Sequence, residues 1–301
     1  MLKYFVLFAF ILGALGSCTP AEETNITDNA NTRDGRIIDA LNRPYLNENI
    51  PNRIISLSPA VTEILFEIGA GEKVVGVTEY CDYPNEALDK TSIGGFAGAT
   101  MSLELIWALE PDLVILSADM HERIVMLLDE LGISSFAVEP RNFTEVYEVI
   151  NLIGYITGFP ENAEKLIDDM KKRIADVESR VRGRQRPDVL WLLSENPLMS
   201  VGRGTFVSQA IDLAGGRNIF DDVNELWPLI SPEQVLMRRP QWIIREMQAG
   251  QSMSAEMTQS FWATLPAVRD GMIADINTDV FYRYGPRLAD AVEILSRILH
   301  P

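Results

Sequence analysis

Residues able to do chemistry are few in this chain, and they are scattered. Ser58 sits in SLSPA, where the strand-like run RIISL passes through Ser58-Pro59 into the apolar-periodic stretch AVTEILFEIGA. A hydrolytic serine needs a GxSxG elbow and a histidine base. The motif here differs, and the only histidines are His121 and His300. No GxxxxGK[ST] loop offers a phosphate cradle either. Ser58, Pro59, Thr62 and Glu63 therefore read as a strand-to-helix turn at the edge of a cleft, with a hydroxyl capping free N–H groups and Glu63 near the positive helix end. Two histidines are too few for an imidazole-rich zinc or manganese site, so no metal ligands and no catalytic residues are assigned.

The two cysteines have different readings. Lys3 followed by an almost unbroken apolar run from Tyr4 to Leu15 has the form of an export signal, too short to span a membrane as a helix. Leu15-Gly16-Ser17 then leads directly to Cys18, the pattern of a bacterial lipoprotein signal, so cleavage before Cys18 and its acylation are expected. Stable anchoring takes more than one chain, and a multiply acylated Cys18 would hold the protein on a membrane surface without spanning it. That leaves Cys81 without an intrachain partner, so stability must come from the core. Cys81 itself reads as buried packing. The formal charge of -17 argues against nucleic acid, which needs a basic surface.

The elements that must position any site alternate between strand and helix. Residues 1–17 are assigned as signal and 18–33, rich in Thr, Asn, Glu and Ala, as a flexible tether. A short extended segment, RIIDAL, then leads to Pro51, where the folded core is expected to begin. Ile54–Leu57, Val74–Val77, Leu113–Leu116 and Phe136–Val138 read as buried strands, with helices at Val61–Ile68, Leu103–Ala108 and Arg123–Leu131 between them. A second series has strands at Val189–Leu193, Trp242–Arg245 and Ile273–Asp275, and helices at Phe206–Ala214, Pro232–Met237 and Arg287–Leu299. Such alternation predicts α/β lobes with mostly parallel sheets. Between the series, Pro160 opens and Gly183 closes a stretch with apolar residues at Ala163, Leu166, Ile167, Met170, Ile174 and Val177, the pattern of one long rigid helix. The resulting division is a lobe over 34–158, an interlobe helix over 159–183 and a second lobe over 184–301.

RIISLSPAVTEILFEIGA, VVGVTEYCDYP, MSLELIWALEPDLVI, LLDELGI, SVGRGTFVSQAIDLAGGRNIF, WPLISPEQVLMRRPQWII and YGPRLADAVEIL, in that order, resemble motifs of the periplasmic substrate-binding components of ABC importers for vitamin B12, ferric siderophores and haem. The resemblance spans roughly residues 34 to 300, and the cobalamin-binding branch is the nearest. It implies two α/β lobes joined by a helical backbone, a monomer, no resident cofactor and no catalysis. The ligand it implies is cobalamin or a similar iron-chelate, delivered to a permease and its ATPase.

On the matching positions, the resemblance places ligand contacts at Tyr80, Phe96, Trp227, Phe281, Tyr282 and Arg283. Phe96 stands where the cobalamin branch carries a tryptophan. Arg283 would meet carboxylate, phosphate or propionate groups, whereas Arg287 is expected to be a structural cap at the start of the last helix. Glu104 and Glu233, at corresponding points of the two lobes, resemble the pair that meets arginines of the membrane subunits. Within the same family, a haem or siderophore receptor with Tyr80 as axial ligand is the alternative; an enzyme using the interlobe cleft is a further one.

Overall fold

The computed structural model describes residues 32–33, 36–46, 49–95, 100–246, 261–277 and 279–301. The signal segment, Cys18 and Phe96 lie outside the described residues. Three short strands, β1 (Thr32–Arg33), β2 (Arg36–Ile38) and β3 (Pro44–Tyr45), form an antiparallel flap. The core thus starts before Pro51. Ile37 is buried in it, and Asp39 is fixed by Arg43 and by the Ala137 amide, since an acid carried this deep needs both a cation and N–H donors.

A first α/β series follows: β4 (Ile54–Ser56), α1 (Pro59–Glu67), β5 (Val74–Val77), β6 (Thr91–Ser92), α2 (Leu103–Ala108), β7 (Leu113–Ser117), α3 (Ala118–Glu130), β8 (Ser135–Val138) and α4 (Phe143–Thr157). Its five strands run parallel in the order β6-β5-β4-β7-β8. The long helix α5 (Pro160–Val181) comes next, 22 residues or about 33 Å at the α-helical rise. A second series contains β9 (Asp188–Leu192), the hairpin strands β10 (Ser194–Glu195) and β11 (Leu198–Met199), α6 (Phe206–Leu213), β12 (Arg217–Asn218), α7 (Pro232–Arg238), β13 (Trp242–Glu246), α8 (Pro266–Arg269), β14 (Ile273–Ile276), α9 (Asp279–Tyr282) and α10 (Leu288–Leu299). Four of these strands form a parallel sheet in the order β12-β9-β13-β14.

The short helices α8 and α9 are absent from the sequence expectation, and two longer helices differ from it. Helix α4 is absent from it, although Asn142 caps α4 by accepting the Glu145 amide at 3.0 Å and its face is strongly apolar. Helix α3 begins five residues before Arg123, because the chain turns into helix directly from the end of β7.

Strand side chains alternate between faces, and the alternation sorts the core. Ile54, Leu113, Ile115, Val189, Trp191 and Ile244 all point into one continuous apolar cluster that α1, α4, α5, α6 and α10 complete. Ile55, Val114 and Leu116 point to a second cluster under α2 and α3, and Leu190, Leu192 and Ile243 to a third. The central cluster is therefore common to both sheets. Its seam is the stripe Ala163, Ile167, Met170, Ile174 and Val177 on α5, packed between α4 and α10.

The α4–α5 corner is the tightest point of that seam. A Cβ at Gly154 would lie 2.4 Å from the Ala163 Cβ and 3.1 Å from the Phe159 carbonyl oxygen. Exchange of glycine for alanine inside a helix ordinarily stabilises by about 1 kcal/mol. Gly154→Ala is instead expected to destabilise by about 1–3 kcal/mol, as overpacked cores do. A lowered urea midpoint at unchanged slope is the expected readout; a raised midpoint would show that the two helices part freely.

Candidate ligand-binding cleft

In parallel α/β sheets the free space for a ligand lies outside the carboxyl ends of the strands, where the chain turns back into helix. Ser58 follows β4, Tyr80 and Asp82 follow β5, Asp119 follows β7, and Glu139 and Arg141 follow β8. From the second series, Leu193 follows β9 and Trp227 lies in the loop before α7. Two hollows result. One of about 600 Å³ has Asp119, Glu139 and Arg141 on one side and Leu193, Met199, Phe206, Leu226, Trp227 and Tyr282 on the other. The second, about 400 Å³, is bordered by Ser58, Tyr80 and Arg283. Tyr282 and Tyr284 border both, so the hollows adjoin.

The walls differ in character. On the apolar side the Trp227 and Tyr282 rings meet edge to face at 6.1 Å, the arrangement aromatic quadrupoles favour. Trp191 donates from Nε1 to the Tyr282 hydroxyl at 3.1 Å and thereby fixes the ring. Trp227 remains 45 % exposed and so presents apolar surface to the cleft. On the polar side Ser117 donates to Glu139 Oε2 at 2.6 Å, the Asp119 amide donates to the same oxygen, and Arg141 pairs with the Asp119 carboxylate at 2.9 Å.

Between the hollows, Tyr284 Oη lies 3.4 Å from Ser58 Oγ. Burial pushes the Tyr284 phenol up to about 12, with Glu139 and Asp119 adding to the effect, so it stays a neutral hydroxyl. Ser58 occupies the N-cap position of α1, but its side chain makes no capping bond. The capping expectation is thus corrected: the Ser58 carbonyl accepts the Thr62 amide, while its hydroxyl faces Tyr284. The contact is with a tyrosine, with no histidine base in the pair.

Glu63 also departs from its expected role. It lies beyond the first turn of α1, fully buried, where the helix end gives it little. Its partners come from the far end of the chain. Arg287 grips both of its carboxylate oxygens, at 3.0 and 2.5 Å, and Arg283 reaches Oε1 at 3.2 Å. Arg283 also donates to Asp82 at 2.6 Å, and the Arg287 guanidinium stacks 4.2 Å above the Tyr83 ring. Burial works against the Asp82 charge, yet the Arg283 guanidinium holds its carboxyl below the usual range. Arg287 stands at the N-cap of α10, but it too makes no side-chain cap there; its role is this bridge between the two series.

Tyr80, Trp227, Tyr282 and Arg283 border the hollows, with the Arg283 charge engaged by Glu63 and Asp82. Phe281 touches the first hollow but is 1 % exposed, its ring against Trp191 at 4.9 Å, so packing holds most of its surface. Glu104 and Glu233 lie away from the cleft, exposed on α2 and α7. Cys81 is buried, and burial pushes its thiol up. Asp119, Glu139, Arg141 and Tyr284 escape a reading of the sequence. For Asp119, Glu139 and Arg141, the position just after strand-like runs, as in FAVEPR, is the one signal that points to them.

Removing one partner of a buried ion pair leaves the others uncompensated. Glu63→Ala is therefore expected to cost about 3–5 kcal/mol in chemical unfolding; a loss below about 1 kcal/mol would show that water already screens the arginines. Asp82, with its carboxyl depressed in the folded state, contributes fully above the ordinary value of 3.8 and loses that contribution as pH falls through the depressed one. Asp82→Asn should thus flatten the acid limb of a melting-temperature profile below about pH 4, and an unchanged limb would remove the pair from the stability account.

The periplasmic binding protein family matches residues 54–280. The Vitamin B12-binding protein of Vibrio cholerae is 33% identical over 242 residues, covering 80% of this chain and 86% of that one. The crystal structure of the periplasmic vitamin B12 binding protein of Vibrio cholerae superposes with a TM-score of 0.71 at 32% identity, over 83% of this chain and 97% of that one. The periplasmic heme-binding protein of Roseiflexus sp. RS-1, in apo form, gives a TM-score of 0.72 at 27% identity, over 83% and 98%. The two parallel sheets, the long helix and the cleft at the strand ends are accordingly those of a periplasmic binding protein, and the chain belongs to that family.

Proposed function

We propose that this protein is the substrate-binding component of an ABC importer and that its ligand is a corrinoid, cobalamin being the nearest representative. The observation that carries this reading is the two-walled cleft, aromatic and apolar on one side and hydrogen-bonding on the other. A flat macrocycle with a polar rim requires both. Similarity to vitamin B12-binding proteins at one-third identity supports the same ligand.

The electrostatics favour a corrinoid over haem. Haem brings carboxylates, and these need unspent cations. Among the described residues bordering the hollows, Arg141 is paired with Asp119, Arg283 is paired with Asp82 and Glu63, and Glu139 adds a further negative charge. A corrin rim carrying neutral amides meets no such repulsion and offers N–H donors to Glu139. Tyr80, 53% exposed in the second hollow, is the feature that favours haem, through an axial phenolate.

The mechanism is capture and delivery, with no bond made or broken. Helix α5 and the Glu63 bridge would limit lobe movement to a small rotation, because a continuous helix resists the φ/ψ change that a loop hinge absorbs. No helix among the described residues is long and apolar enough to cross a membrane. In this reading residues 1–17 direct export, acylated Cys18 anchors the chain to a membrane surface, and residues up to 33 act as the tether.

Calorimetric titration of the chain lacking residues 1 to 18 with cyanocobalamin, haem and a ferric siderophore tests the ligand. One-to-one binding of cyanocobalamin, weakened about tenfold or more in Trp227→Ala, is expected, the order of a buried aromatic contact. Binding of haem alone, lost in Tyr80→Ala, would replace the corrinoid. The anchor is tested separately: Cys18→Ala in the full chain should move the protein from the membrane fraction to the soluble one, and retention on membranes would discard lipidation as the tie.

A further inference from the structure

Helices α2 and α7 repeat one another beyond their glutamates. Ser102 caps α2 by accepting the Leu105 amide at 3.2 Å, and Ser231 caps α7 by accepting the Gln234 amide at 3.3 Å. Glu104 and Glu233 each stand two residues after the cap. Ile106 and Val235, two further on, are both fully buried. Each helix ends in a non-glycine residue at positive φ, Glu110 at 44° and Arg239 at 49°, followed by proline. Asp112 and Gln241 then occupy the same position, each accepting backbone amides at the start of the neighbouring strand. The two lobes therefore present the same turn of helix in the same register.

The repeated turn carries an apolar residue beside each acid. Residues three and four apart share a helix face. Trp107 follows Glu104 by three and is 64% exposed, while Leu236 and Met237 follow Glu233 by three and four and are 38% and 82% exposed. Isolated exposed hydrophobics are ordinary on protein surfaces. An apolar side chain left bare at one register of both lobes, beside a carboxylate that forms no ion pair among the described residues, is a different observation. Both carboxylates want a cation, and both apolar neighbours want a recess.

We infer that Trp107 on one lobe and the Leu236–Met237 pair on the other are the desolvated centres of the importer-docking surface, with Glu104 and Glu233 as its charged rim. The occupant is the pair of membrane subunits, each presenting a basic group next to an apolar recess. This inference rests on the import reading above. Charge at an interface rim mainly steers approach and sets orientation, whereas buried tryptophan is among the residues that carry affinity. Trp107 has the largest apolar surface of the set, so the lobe with the five-stranded sheet should hold more tightly than the other.

The test measures association and dissociation of the soluble chain on the source organism's vitamin B12 permease–ATPase complex in nanodiscs, with empty nanodiscs alongside. Trp107→Ala is expected to speed dissociation at least tenfold while leaving the salt dependence of association intact. Met237→Ala should do so by a smaller factor. Glu104→Gln should chiefly slow association and flatten its salt dependence. Melting curves matching the parent chain would confirm that the exposed substitutions leave the fold in place. Unchanged dissociation in both apolar variants would overturn the inference alone. Failure of the parent chain to bind the complex would overturn the import reading and this inference together. Binding to empty nanodiscs that falls equally in Trp107→Ala would assign the patch to lipid and overturn it as well.

Discussion

The structure hangs on one apolar seam. The stripe Ala163, Ile167, Met170, Ile174 and Val177 on α5 is buried from end to end, and it joins the inner faces of both sheets in a single cluster. Hydrophobic contact has no direction of its own, so a continuous helix with one buried face sets the relative position of whatever packs along it. Helix α4 packs on one side and α10 on the other. That fixes where the carboxyl ends of the strands meet, and the cleft is the space left between them. The close contact at Gly154 shows how little slack the seam contains.

A second, polar connection operates at the cleft itself. Burying Glu63 completely would be costly without compensation, and two arginines supply it from the other end of the chain. The bridge sits beside Tyr284 and Ser58, so it holds the aromatic loop that both hollows share against the turn after β4. Its by-product is electrostatic. With Arg283 and Arg141 already engaged, the cleft keeps aromatic surface and hydrogen-bonding groups but little unspent positive charge among the described residues, which shapes the ligands it suits.

Much of this architecture is legible in the order of the residues. Val74–Val77, Leu113–Ser117 and Trp242–Glu246 are short apolar runs bounded by turn residues, and each is a strand. The stripe on α5 repeats at helical spacing and is a helix with that face buried. Tyr80 and Trp227 border the cleft, since loop aromatics beside proline or acid have no core to enter. Helix α4 is harder to read because its apolar residues spread beyond one face, which blurs the helical period. Tyr284, Glu139 and Arg141 are locally ordinary; only the convergence of strand ends makes them neighbours.

Local sequence suffices for whatever depends on neighbours within a turn or a strand: the alternation of elements, the long helix, and the acids near the starts of α2 and α7. Which charges are spent is settled only by the folded arrangement. Glu63 reads locally as an acid near a helix start, yet it is a fully buried anchor for Arg283 and Arg287, 220 and 224 residues away. Likewise Arg283 reads as a free cation for an anionic ligand, and the fold pairs it with Glu63 and Asp82 at the border of the cleft. Periodicity is a short-range property that survives in the written chain. Desolvation and ion pairing arise when distant segments close over a charge, and no local pattern records them.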